Sequence, residues 1–113
     1  MQRSQADSML RRAGWDIART WKVDKVLLVK NHGPAIRKPG DWGHVATKPG
    51  NPMAILYVSS ERQPGGGREV EWFEVLPAKY VSDMSMQGMG TQMRSLRAAI
   101  RLAEAAGQPL SNS

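Results

Sequence analysis

The chain contains no cysteine, which removes disulfides, zinc–thiolate centres and thiol nucleophiles together. That absence suits a reducing compartment, and a cytoplasmic setting is expected. Long apolar runs are missing as well. No stretch approaches 18 residues, and the first 25 hold no apolar segment behind a basic start. Neither a membrane span nor a secretory signal is expected from this pattern. Histidine is scarce, with two copies, His32 and His44, both in turn-like surroundings. With so few bases and no Gly-x-Ser-x-Gly elbow, nucleophilic catalysis has little to work with. Asp41 could join the histidines in a two-histidine, one-carboxylate site, but the spacing carries no ligand signature. No metal and no cofactor is expected. The glycines at 65–67 are not followed by Gly-Lys-Ser/Thr and a helix start, so they form no phosphate cradle.

Acidic residues are sparse in the first half. Residues 1–50 hold ten bases (Arg3, Arg11, Arg12, Arg19, Lys22, Lys25, Lys30, Arg37, Lys38, Lys48) against Asp7, Asp16, Asp24 and Asp41. Residues 51–113 balance, so the whole net charge of +6 lies in the opening fifty. Such asymmetry points to a polyanionic partner.

What is present is ordinary for a folded domain: 41% apolar and 23% charged residues in 113, enough for a single core. One domain over 1–113 is expected, ordered from about 5 to 107 with a flexible tail at 108–113. The organising stretch is 84–106, read as one amphipathic helix. Met86, Met89, Met93, Leu96, Ile100 and Ala103 recur at alternating spacings of three and four, with Ala99 and Ala106 beside them. Ser82 would cap its start, and Gly107 followed by Pro109 would stop it.

At the other end, Ala6, Leu10, Ala13, Ile17 and Trp21 share a helical face, so residues 5–21 are expected to be helical, with Ser4 and Asp7 as a capping box. Gly14 within it counts as a cost of about 1 kcal/mol. Residues 23–30 read as a strand, 31–34 as a turn and 34–38 as a short edge strand. The stretch 38–52, with Lys-Pro-Gly twice, reads as irregular apart from a short strand at 45–47. Residues 53–60 and 70–76 are the clearest strands, joined by a glycine-rich tip at 63–67, with Val70, Trp72 and Leu76 alternating on one face. Glu69, Glu71 and Glu74 are expected mostly to face outward, or onto basic neighbours across the sheet. The resulting class is α+β: an N-terminal helix, an antiparallel meander of three to five short strands, and a long C-terminal helix packed on the sheet.

Three functions follow as expectations. The leading one is a non-catalytic nucleic-acid-binding protein. Arg12, Arg19, Lys22, Lys25, Lys30, Arg37, Lys38 and Lys48 would contact phosphates, and Trp15 and Trp42 would stack on bases. Arg94, Arg97 and Arg101 form a second basic stripe on the last helix. DNA and RNA are both open, and no strand carries the paired aromatics of an RNA-recognition motif. This reading includes a homodimer, through the last helix or a sheet edge, and Met86, Met89, Met93, Leu96 and Ile100 are the expected oligomer or partner interface. The alternative is an interaction module, an inhibitor or accessory subunit for an acidic protein partner. The third is a metal-dependent nuclease built on Glu69, Glu71 and Glu74 with Lys79.

Overall fold

The computed structural model describes residues 1–22, 40–61, 68–81 and 90–107. The expectations at 23–39, 62–67, 82–89 and 108–113 lie outside the described residues. The described elements are helix α1 (Arg3–Arg12), strands β1 (Asp16–Lys22), β2 (Trp42–Thr47), β3 (Met53–Glu61) and β4 (Arg68–Pro77), a single 3-10 turn (Ala78–Tyr80), strand β5 (Thr91–Met93) and helix α2 (Leu96–Gly107). The strands lie in chain order, β1-β2-β3-β4-β5, each antiparallel to the next. The chain is α+β, an antiparallel meander with the C-terminal helix packed on β3 and β4.

The first helix stops nine residues earlier than its apolar spacing implies. Gly14, at φ +87°, does not interrupt the helix; it ends it. Its N–H bonds to the Arg11 carbonyl at 3.0 Å, and the Trp15 N–H reaches the Leu10 carbonyl at 2.9 Å. This is a Schellman closure, with Trp15 packed back on Leu10 in the same core cluster. A side chain at Gly14 would be strained, because φ is in the left-handed region. Residues 16–22 then extend as a strand, so Ile17 and Trp21 never share a helix face. The start also moves: the Gln5 side chain accepts the Gln2 N–H at 3.2 Å, and Gln2 rather than Ser4 is the capping position.

The long C-terminal helix is likewise shorter than expected. Residues 91–93 are strand, paired with β4 from Val75 to Phe73, and Ser95 caps α2 by accepting the Ala98 N–H at 3.1 Å. Gly90 explains the change. A methyl there would overlap the Val75 carbonyl oxygen and lie 2.8 Å from Leu76 Cβ and 2.9 Å from Glu74 Oε2. The chain approaches β4 closely enough to pair only because this position has no side chain. Gly90→Ala is therefore expected to cost about 1–3 kcal/mol by overpacking, read as a lower thermal midpoint; an unchanged midpoint would show that the approach is not tight. The helical seam is Leu96, Ala99 and Ala103, all buried, with Ile100 half-buried and Ala106 exposed.

Both helices cover one sheet face. Ala6 and Leu10 of α1 join Leu96, Ala99 and Ala103 of α2 over Ala46, Ile55, Tyr57, Phe73 and Val75. The opposite face is also buried, around Val45, Ala54, Leu56, Val58, Trp72 and Leu76, with Trp21 packed against it. Two bulges decide which residues go where. In β4 the register passes from Trp72 to Val70 opposite Val58 and Ser59. Val70 therefore faces the helices while Trp72 and Leu76 face away, contrary to simple alternation. In β1 the register passes from Ile17 to Arg19, which likewise puts Ile17 and Trp21 on opposite faces. The stretch 38–52, expected to be mostly irregular, contributes all of β2, paired on both sides. Among the described residues no helix is long and apolar enough to cross a membrane.

Candidate functional site

Two residues expected to meet a ligand are part of the framework instead. Trp15 is 1% exposed, and its indole N–H donates to Glu104 Oε1 at 3.2 Å. Lys48 Nζ donates to the Ala13 carbonyl at 2.9 Å and to the same Glu104 oxygen at 3.0 Å, and lies 5.9 Å from the Trp15 ring centre. The Lys48 hydrogen bond, then that from Trp15, holds the Glu104 carboxyl below its usual range. This clamp ties the end of α1 to α2 and to the turn after β2. Trp15 has no free face for a base, and Lys48 already has its counterion. Lys25, Lys30, Arg37 and Lys38 lie outside the described residues, as do Met86 and Met89. Leu96 is 1% exposed in the core and so cannot form a dimer seam; Met93 and Ile100 are half-buried against that core.

Other chosen residues do come together. Lys22 and Trp42 are directly opposed across β1 and β2. Arg68, not singled out by the sequence, places its guanidinium 5.5 Å from the Trp42 ring centre. It also donates to the Ser59 side chain at 3.1 Å, the Ser59 carbonyl at 3.0 Å and the Gly40 carbonyl at 3.1 Å. Arg19 covers Trp21 at 5.0 Å.

Behind Trp42 runs a buried polar chain that no sequence pattern announces. His44, expected in an exposed turn, sits in β2 with no exposure. Its Nε2 is 2.8 Å from Ser59 Oγ and its Nδ1 is 3.1 Å from Thr20 Oγ1. Its ring stacks on Tyr57 at 4.8 Å, and the Tyr57 hydroxyl donates to Asp7 Oδ1 at 2.7 Å. Asp7 also pairs with Arg3 at 3.3 Å. Burial first, then the nearby Arg3 charge, lowers the His44 pKa from 6.5 to about 4, although Asp7 opposes the shift. Burial and the hydrogen bond to Asp7 push the Tyr57 hydroxyl up. The Ser59–His44 contact has the length of a nucleophile–base pair. Both side chains are fully buried, however, and neither lines a described pocket. Its work is to bind α1 to the middle of the sheet.

The glutamates expected to hold a metal diverge. Glu69 pairs with the Met1 ammonium and accepts from the Gln2 amide at 3.3 Å. Glu74 is fully buried on the opposite sheet face, where it accepts the Trp72 indole N–H at 2.7 Å and the Gly90 N–H at 2.8 Å. Lys79 is exposed beyond β4, over Tyr80. Among the described residues no group of three or more histidines, aspartates or glutamates could hold a metal ion.

Five arginines of the helix layer are exposed, Arg11 and Arg12 on α1, Arg94 just before α2, and Arg97 and Arg101 on it. The acids of the two helices are already paired, the buried Asp7 with Arg3 and Tyr57, and the partly exposed Glu104 with Lys48 and Trp15. Among the described residues no ion pair involves any of the five arginines. Two open cavities flank Met1. One of about 470 Å³ runs along α1 past Ser8, Met9 and Arg12, and one of about 430 Å³ lies where β4, β5 and the start of α2 meet.

No protein-family model, curated protein or solved structure matches the chain. The arginine-bearing helix layer therefore carries the functional reading by its own geometry.

Proposed function

We propose that the protein binds the phosphate backbone of a nucleic acid on its helix layer, without catalysis, and that it does so in the cytoplasm, which its lack of cysteine suits. The supporting observation is the set of five exposed arginines on α1, just before α2 and on α2, with the acids of both helices already paired. An arginine fork matches phosphate oxygens two at a time, and its charge persists at any physiological pH. Arg97 and Arg101 lie one turn apart on α2, roughly 6 Å along the axis, so they can follow a backbone rather than meet one point. This set shares Arg12 with the phosphate contacts expected from the sequence and draws Arg94, Arg97 and Arg101 from the charge-balanced second part of the chain.

Binding of this kind releases counterions. Affinity for an oligonucleotide should fall log-linearly between about 50 and 200 mM salt. The double variant Arg97→Gln/Arg101→Gln should weaken binding at low salt and reduce the slope by about 1.4 on single strands or 1.8 on duplex. Fluorescence anisotropy measures both. A variant with the parental slope would remove the helix layer from the interface.

A further inference from the structure

Phosphate recognition by exposed arginines requires no cavity, yet one lies beside them. It is an open recess of about 430 Å³, lined by Met1, Val70, Phe73, Met93, Arg94 and Leu96. That is within the range of about 300–1,000 Å³ in which proteins enclose small organic groups. Its floor is apolar and polarisable: Met93 is half-buried and packs against the core that includes Phe73. Arg94, at its edge, is exposed, and among the described residues it takes part in no ion pair.

We infer that this pocket receives an unpaired base of a single-stranded nucleic acid, with its flanking phosphates on Arg94 and Arg97. The inference rests on the phosphate-binding reading above and names its ligand class. A duplex stacks its base faces inward and presents nothing that would enter an apolar recess. A single strand exposes flat faces that gain from burial against aromatic and thioether groups, and single-strand recognition pairs cationic tracks with such surfaces. The alternation here of an apolar recess and exposed arginines fits a strand that turns one base inward while its backbone continues along α2.

The test uses three probes of equal length on the full chain, by anisotropy at about 100 mM salt: oligothymidylate, the same strand with every base removed, and a duplex. Oligothymidylate should bind about 10-fold tighter than the abasic strand. Met93→Trp, which fills the recess, should bring oligothymidylate toward the abasic affinity while leaving the abasic strand unchanged. Gln92→Ala should alter neither, because the Gln92 side chain projects to the opposite sheet face with that of Glu74. Equal binding of the abasic strand and oligothymidylate, or tighter binding of duplex, would overturn the base pocket while a steep salt response kept the phosphate reading. Absence of salt-sensitive binding to all three probes would overturn both.

Discussion

Trp15→Ala should unfold a large part of the population at modest denaturant, losing about 3–5 kcal/mol. The side chain is 1% exposed, packs on Leu10 at the helix closure, and donates its N–H to Glu104. Truncation leaves a cavity at the junction of α1, β1 and α2. It also removes one of the two donors, with Lys48, that hold the Glu104 carboxylate. Folded domains carry about 5–15 kcal/mol in total, so the loss is a large share, and the thermal midpoint should drop on the order of 10–20 °C. Trp15→Phe keeps most of the packing and gives up the donor, so it should lose about 1–2 kcal/mol. It should leave oligonucleotide affinity at the parental value, because the ring meets core atoms and no ligand. Chemical unfolding and anisotropy on the same samples decide the matter. A Trp15→Phe protein that is stable but binds weakly would restore the ring to the interface.

The same residue illustrates what the sequence could and could not convey. Residues 53–60 and 70–76 were legible as strands because branched and aromatic side chains are concentrated between turn signals; β3 and β4 extend them slightly. The break after Arg12 was not legible. Leu10, Ala13, Ile17 and Trp21 keep helical spacing across it, and a glycine reads equally as a tolerated interior residue or as a cap until its φ is known. Bulges at Ile17/Arg19 and Val58/Ser59 leave no mark in an alternation pattern, yet each reverses every face beyond it. The candidate site was partly legible. Arg94, Arg97 and Arg101 could be seen as a stripe, but not that Glu104 would be turned toward Lys48, 56 residues away. His44 was hidden most completely, since its partners Thr20 and Ser59 are 24 and 15 residues distant. A buried polar group becomes predictable only with the partners that satisfy it.

His44 also sets the expected response to acid. In the unfolded chain its imidazole titrates near 6.5; in the fold, burial and the Arg3 charge hold it near 4. Between those values the unfolded chain takes up a proton that the folded chain refuses, so stability falls as pH falls from about 6.5 to about 4. Below that both states are protonated and this contribution levels off. The gap corresponds to about 3 kcal/mol. Protonation would place a third cation in a network already containing Arg3 and Arg68, with Asp7 the one acid pulling the other way. It would also take from Nε2 the lone pair available to the Ser59 hydroxyl. Glu104 acts in the same direction at lower pH: its carboxyl is held below the ordinary value, so the stability it contributes is present above about 4.5 and is lost as pH falls through the lowered value. Urea unfolding at pH 7, 6, 5 and 4.5 should give a steady decline over the upper interval. His44→Asn, less stable at neutral pH, should flatten the curve between 6.5 and 4.5 while keeping the later fall due to Glu104. A parental curve that is already flat between 6.5 and 4.5 would mean that the folded protein protonates His44 as readily as the open chain does. Acid should loosen α1 before the sheet, because the His44–Tyr57–Asp7 connection joins the first helix to β2 and β3.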